Sequence, residues 1–419
     1  MTTGRRPLLA LVQNDKSVST MQLAESAAEV CDLAWVFDSS EMRGSTPRLL
    51  RKLGTVLDIA GMTTDEAVRA LEPLRPDGII AYADPLILTT SALATGLGLD
   101  YHDTVTAERL TDKFAQRRAL RDAGLPVPFF VVVPAHPTPA DVDTVVAGVD
   151  FPVVLKPRSG AGSRDTLLAG DASELRTLLA ELAAPDGGTG SPMIVEEYLV
   201  GASPGPSSLF ADYLSVESFV CAGKVNHVAV TGRFPLAEPF RETGFVLPSD
   251  LGPNDTRDVL DVASGAISAL GVHIGFLHTE IKLTPAGPRV IEVNGRMGGH
   301  VPEMLARAAG VDVFAWSMRI ALGESVVLDG LLPTHRVGYF LSEQAPQWAS
   351  RVVSVTGLDR LVEHPDVDAI FLNRRPGDDV DWRKGSQEYV FSTVGAAADH
   401  HGVLAVQRFI DENITMTFA

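Results

Sequence analysis

The chain has 419 residues, a formal net charge of −18, 45% hydrophobic residues and 21% charged ones. That length exceeds a single core and implies two to four domains of ordinary soluble globular composition. The acidity argues against a nucleic-acid surface but leaves room for a local cation cluster around an anionic ligand such as a nucleotide. Cys31 and Cys221 are the only cysteines, so neither a disulfide framework nor a thiolate metal site is expected, and a reducing cytoplasm fits. The apolar run Pro7–Val12 meets Asn14, Asp15 and Lys16 at once, and so reads as a first strand, not an export signal. No run reaches the length of a membrane span.

Residues 7 to about 105 alternate strand and helix. Strands are expected at Leu8–Val12, Leu33–Phe37, Val56–Ala60 and Gly78–Tyr82, and helices at Thr20–Cys31, Thr46–Leu53, Thr64–Leu74 and from Pro85. This predicts a small doubly wound α/β domain. No Gly-x-Gly-x-x-Gly follows the first strand, which argues against a dinucleotide site there. Thr104–Ala123 predicts one strong helix, stopped by Gly124. Next come a strand Phe129–Val133, a helix Ala140–Ala147, a strand Phe151–Lys156, a helix Ser173–Leu182, a flexible loop Ala184–Ser191 and a strand Met193–Tyr198. Tyr213–Cys221 and Lys224–Thr231 predict a hairpin turned at Ala222-Gly223, and Pro253–Leu270 a helix. A second hairpin over 276–294 precedes helices Val301–Ala309 and Val313–Leu322, and an α/β segment without an evident active-site motif follows residue 332.

The second hairpin carries the densest chemistry. Phe276–Leu283 alternates, with His278, Glu280 and Lys282 on one face. Turn residues 284–288 lead into a return strand with Glu292 and Asn294 on one face. A hairpin symmetric about Ala286 sets Glu280 opposite Glu292, where like charges about 5 Å apart repel unless a cation lies between them. Oxygen ligands suit Mg²⁺ or Mn²⁺, and Arg296 close by suggests phosphate chemistry. The competing reading is a surface hairpin with two solvated acids. Upstream, Lys156 ends a strand and enters a loop, Arg158 to Ser163, containing Ser159, Gly160 and Gly162. Such a loop offers backbone N–H groups to phosphates, although it is not a Walker A sequence. Glu196, Glu197, Tyr198 and Leu199 close an apolar strand and read either as edge charges or as a nucleoside contact. Lys113 is a helix-face lysine that would ordinarily be solvated.

The order helix lysine, strand lysine with Gly/Ser loop, Glu-Glu-Tyr-Leu, Ser-Val-Glu, and Glu…Glu-x-Asn-x-Arg with glycines resembles the ATP-grasp superfamily. It is most similar to its carboxylate–amine ligase branch, typified by bacterial L-amino-acid ligases, over roughly residues 5–325. The resemblance implies an α/β fold of ATP-grasp type: an N-terminal pre-ATP-grasp domain (1–105), an ATP-grasp domain (106–330, with a small lid part at 125–195 and a catalytic part at 196–330), and a C-terminal α/β subdomain (331–419). It also implies that Lys113 and Lys156 contact ATP phosphates under a lid formed by Arg158 to Ser163. Glu196 and the stretch Glu197–Leu199 would hold adenine, and Asp212 is the nearest substitute for a ribose-binding acid. Glu280, Glu292 and Asn294 would hold two Mg²⁺, and Arg296 would stabilise the transferring phosphoryl group. Glu217, Arg233, Glu242, His278, Gly298, Gly299 and His300 would line the substrate pocket, with Arg233 and Glu242 on a loop.

The implied activity is amide synthesis from a carboxylate and an amine, both amino acids or the acid a small carboxylic acid, through an acyl phosphate, by a cytoplasmic homodimer without nucleic-acid or membrane partners. Two alternatives remain at this point. One is a biotin-carboxylase or purine-biosynthesis type of enzyme that activates bicarbonate or formate. The other is a nucleotide-binding regulatory protein without turnover.

Overall fold

A computed structural model describes residues 5–15, 18–42, 46–183, 191–202 and 210–419. Lys16, positions 184–190 of the expected flexible loop and most of the Pro/Ser-rich run 202–208 lie outside the described residues.

The N-terminal unit is built by β1 (Leu8–Val12), α1 (Thr20–Ala27), β2 (Asp32–Phe37), α2 (Thr46–Leu53), β3 (Thr55–Asp58), α3 (Thr64–Leu71), β4 (Gly78–Ala81) and α4 (Ile87–Leu97). Its strands form a four-stranded sheet in the order β3-β2-β1-β4, every pairing parallel. Apolar runs such as LLALV become strands here because both faces are covered. Thr63 and Glu66 form a reciprocal capping box that starts α3. Two helices stop earlier than expected, α1 at Ala27 and α3 at Leu71, where a 3₁₀ turn, Glu72–Leu74, continues.

The expected helix Thr104–Ala123 is two helices, α5 (Thr104–Thr111) and α6 (Lys113–Asp122). Asp112 between them is extended, and its carboxylate accepts from the N–H groups of Phe114 and Ala115. An aspartate in that role caps a new helix. The apolar period runs across the break, which is why pattern alone reads a single helix. The break puts Lys113 in the first turn of α6.

A second sheet follows, made from β5 (Phe130–Val133), β6 (Val153–Pro157), β7 (Leu167–Ala169) and β8 (Met193–Glu197), in the order β5-β8-β6-β7. Helices α7 (Pro139–Ala147) and α8 (Ala172–Ala183) cover it through a core that includes Val145, Leu155, Leu175 and Val195. Each such side chain contributes about 1.5–3 kcal/mol when fully buried. The short strand β7 had no expectation in the sequence.

The largest sheet has eight strands. It uses β9 (Tyr213–Cys221), β10 (Lys224–Arg233), β11 (Gly244–Leu247), β12 (Gly275–Thr284), β13 (Gly287–Asn294), β14 (Val337–Glu343), β16 (Val367–Leu372) and β17 (Phe391–Ala397). Their order is β13-β12-β9-β10-β11-β14-β17-β16. Helices α9 (Pro253–Leu270), α10 (Val301–Ala309) and α11 (Val313–Ala321) pack on it, and α11 also touches β4 and α1 of the N-terminal unit. The segment after residue 332 therefore continues the central sheet, and adds a β15 (Val352–Thr356)–β18 (Thr415–Phe418) pair with helices α12 (Leu358–Val362) and α13 (His400–Asn413). Among the described residues no helix is long and apolar enough to cross a membrane.

The β12–β13 hairpin pairs Glu280 with Glu292, as the sequence suggests, but by a different route. Near the turn the partners are Thr284 with Gly287 and Ile281 with Val290. The register then shifts by one residue, leaving Ile291 as the extra residue before Glu292 meets Glu280.

Candidate active site

α6 lies along the outer strand β13 and grips it with three side chains spaced for one helix face. Lys113 Nζ is 2.9 Å from Glu292 Oε1. The Gln116 amide both donates to Val293 O (2.9 Å) and accepts from Val293 N (2.8 Å). Arg117 donates to Ile291 O. These contacts satisfy the edge of the sheet, which would otherwise expose unpaired backbone, and fix the lysine beside the carboxylates.

Arg117 also builds a buried charge group. Its Nε is 2.8 Å from Glu196 Oε1, while Lys156 Nζ is 2.7 Å from Glu196 Oε2. Arg117 is 1% exposed and Glu196 3%. Burial alone would raise the Glu196 carboxyl, but Arg117 and Lys156 hold it down at about 2. Burial pulls the Lys156 ammonium below its usual range against the opposing pull of Glu196. Both carboxylate oxygens of Glu196 thus face cations, and the residue positions Lys156. The neighbouring N–H groups of Glu197 and Tyr198 donate to the carbonyls of Phe129 (2.9 Å) and Pro152 (3.2 Å). Asp212, the candidate ribose acid, is 2.6 Å from Lys282 Nζ.

The Gly/Ser loop leaves β6 beside α6. Arg158 pairs with Asp112, Arg158 O accepts from Lys113 N at 2.9 Å, and Lys113 Nζ donates to Gly160 O at 3.0 Å. Gly160, Gly162 and Ser163 have φ of +135°, +69° and +58°. The glycines allow these left-handed turns, and Ser163 bears the strain of a side chain there.

On the carboxylate face of the hairpin, His278 is buried between acids. Its Nδ1 is 2.9 Å from Glu217 Oε1, and its Nε2 is 3.5 Å from Glu280 Oε1. Burial would lower the imidazole, but Glu217 and Glu280 raise it to about 9. Arg233 Nη2 approaches the same Nε2 at 3.3 Å. Arg233 also donates to Ser215 Oγ (2.9 Å), lies 3.4 Å from Glu242 Oε1, and sits over the Phe245 ring. It ends β10 rather than lying on a loop, a correction, whereas Glu242 is on the connection to β11. Burial raises the Glu242 carboxyl. For Glu280 burial is outweighed by His278, Arg233 and Arg296, leaving it near 2.

Asn294 lies opposite His278, its Nδ2 3.4 Å from Glu280 Oε1. Among the described residues no group of three or more His, Cys, Asp or Glu has metal-site geometry. The candidate set of two carboxylates and an amide needs ligand oxygens from elsewhere to complete a shell. Arg296 Nε is 2.9 Å from Asp84 Oδ2, on the turn after β4. Gly298 packs under His278: a Cβ there would lie 2.4 Å from Nδ1. Gly299 has open space, and His300, at φ +59°, stacks on Phe340 with ring centroids 3.7 Å apart.

Asp84, Asp112, Arg117 and Ser215 are site residues that sequence reasoning missed. Arg117 had a usable signal, since it lies four residues after Lys113 on the same face. Asp84 had none, because its partner is 212 positions away.

Residues 110–300 match the family model of the ATP-grasp domain. Carnosine synthase 1 of Homo sapiens is 29% identical over 275 residues, covering 62% of this chain and 32% of that protein. An uncharacterized protein, y4rH, of Sinorhizobium fredii is 28% identical over 309 residues, covering 72% of this chain and 59% of its own length. The chain thus spans about a third of the first relative and about three fifths of the second. The crystal structure of an L-amino acid ligase from Bacillus licheniformis superposes with a TM-score of 0.79 at 19% identity, covering both chains fully. The chain has the ATP-grasp fold and carries an ATP-grasp domain.

Proposed function

We propose that the protein is an ATP-dependent ligase joining a carboxylate, from an amino acid or small carboxylic acid, to the amine of an amino acid through an acyl phosphate, with release of ADP and phosphate. The observation that carries this reading is the pair of facing acids on one hairpin, with Lys113 2.9 Å from Glu292, the Arg296 charge acting on Glu280 and Lys156 fixed nearby by Glu196. A site that only bound a nucleotide would not need two facing carboxylates under a phosphate-handling arginine. The names of two similar proteins, carnosine synthase 1 and an L-amino acid ligase, support it.

In this reading residues 125–195 form the lid and 196–330 the catalytic part. Lys113 and Lys156 neutralise the triphosphate, and the Arg158–Ser163 loop covers it and excludes water from the mixed anhydride. Leu199 and the carbonyls of 197–199 take the adenine, and Asp212 the ribose. Glu280, Glu292 and Asn294 fit Mg²⁺ or Mn²⁺: they are hard oxygen donors, and the protein contacts of Glu280 are long, at 3.4 and 3.5 Å. A divalent cation there would screen the phosphate oxygens from the incoming carboxylate. Arg296 faces the charge that builds on the transferring phosphoryl group. The cleft of Glu217, Arg233, Glu242, His278, Gly298, Gly299 and His300 takes the substrates, its mixed charges suited to an amino acid. The cytoplasm, which holds ATP and keeps Cys31 and Cys221 reduced, is the proposed compartment.

Glu280→Gln and Glu292→Gln should each abolish metal-dependent ADP release while leaving thermal unfolding within a few degrees of wild type. Near-normal turnover in either variant contradicts the reading.

A further inference from the structure

The Gly/Ser loop is anchored at both ends, and its second anchor comes from the far end of the chain. Two short helical turns, Trp382–Lys384 and Ser386–Glu388, flank Gly385. Ser386 N donates to Gly162 O at 2.8 Å, and Asp165 N donates to Arg383 O at 3.0 Å. Gly385 lies so close to the loop that a Cβ would sit 2.1 Å from Gly162 O and 2.8 Å from Arg164 N. Its φ of +87° independently favours glycine. The same serine reaches the substrate wall. Ser386 is 7% exposed, and its Oγ accepts from Glu242 N at 3.0 Å. Gln344 Nε2 completes the link, donating to Glu242 O and Ser386 O, both at 2.8 Å. One buried serine therefore bonds the nucleotide loop through its backbone and the Glu242 connection through its hydroxyl.

We infer that Ser386 is a positioning residue that couples the Gly/Ser loop to the Glu242 side of the substrate cleft, with Gly385 as the close contact that lets the two meet. The C-terminal segment is then part of the site assembly: it holds the loop through the Ser386 N–H and the Glu242 connection through the Ser386 hydroxyl. The substrate half of this inference rests on the ligase reading above, whereas the loop contact stands independently of it. The two arms are separable because they use different atoms of one residue. Removing the hydroxyl orphans Glu242 N–H and leaves the loop bond. Filling Gly385 displaces the loop and leaves the hydroxyl.

The test compares Ser386→Ala, Ser386→Thr, Gly385→Ala and Ser386→Pro, the last removing the N–H that donates to Gly162 should Gly385→Ala fail to fold. Ser386→Ala should raise the KM for the amine about tenfold, the usual scale for an orphaned buried donor, with the KM for ATP changed less than about twofold. Ser386→Thr should restore it. For the loop arm, trypsin cleavage after Arg164 is followed by mass spectrometry on the full-length protein without substrates. Cleavage should be about tenfold faster in Gly385→Ala or Ser386→Pro than in wild type, as expected for release of one or two backbone bonds. Equal cleavage rates overturn the clamp. An amine KM within twofold in Ser386→Ala, or a parallel fall of all kinetic parameters that Thr does not recover, overturns the coupling. Should wild type turn over no acid and amine pair, the ligase reading fails, and the trypsin comparison alone still decides the clamp.

Discussion

Asp84 and Arg296 form an ion pair at 2.9 Å between the turn after β4 and the loop after the β12–β13 hairpin. Burial would depress the guanidinium, but Asp84 holds it firmly charged, so the arginine is fixed in direction as well as in charge. Asp84→Asn keeps the shape and removes that restraint. We expect kcat to fall about 10- to 100-fold with substrate KM values within threefold, since misplacement by about 1 Å can cost 10²-fold. Steady-state kinetics check this, and a change confined to KM would argue for a different role.

Arg117 is the keystone of the buried group around Glu196. Replacing it with Leu leaves Glu196 sharing only Lys156 and frees Ile291 O of its donor. Breaking such a pair costs about 3–5 kcal/mol, which denaturant unfolding would report as a clear drop in midpoint. A loss below about 1 kcal/mol would mean water reaches Glu196 and the pair is not closed.

His102 links stability to pH. Burial pushes its imidazole down to about 4 from 6.5, and its Nδ1 has no hydrogen-bond partner among the described residues. Between pH 6.5 and 4 the unfolded chain binds a proton that the folded chain refuses, so stability falls as pH drops through that window. The full effect is about 3 kcal/mol at 1.4 kcal/mol per pH unit. The difference in unfolding free energy between wild type and His102→Phe should therefore change across pH 6.5 to 4 and be flat above about 7.5. A difference independent of pH would show that His102 charges in the folded state.

Part of the candidate site's geometry was legible because it is local. Glu280 and Glu292 face each other through a hairpin whose alternation and turn residues are contiguous in sequence, although the bulge at Ile291 that completes the register left no pattern to read. Lys156 and its loop follow from a strand that ends in Lys156 and Pro157 and runs into glycines and serines. What the sequence hid depends on distant partners. The break at Asp112 is masked by continuing apolar periodicity, the engagement of Glu196 on β8 requires Arg117 from α6, and the grip of Ser386 on Gly162 joins segments far apart in the sequence. The charge of Arg233 is visible in sequence, but its burial at the end of a strand is set by β9, β10 and β11 packing together.

The central claim is that a carboxylate activated by ATP is captured by an amine. Its most direct test is ADP release across a panel of amino-acid and small-acid pairs with Mg²⁺, with product mass read in the same samples. The account predicts sustained ADP and phosphate release only when acid and amine are both present, together with a product whose mass is their sum less one water. Sustained release with bicarbonate alone, or ATP binding with no turnover on any pair, would contradict it.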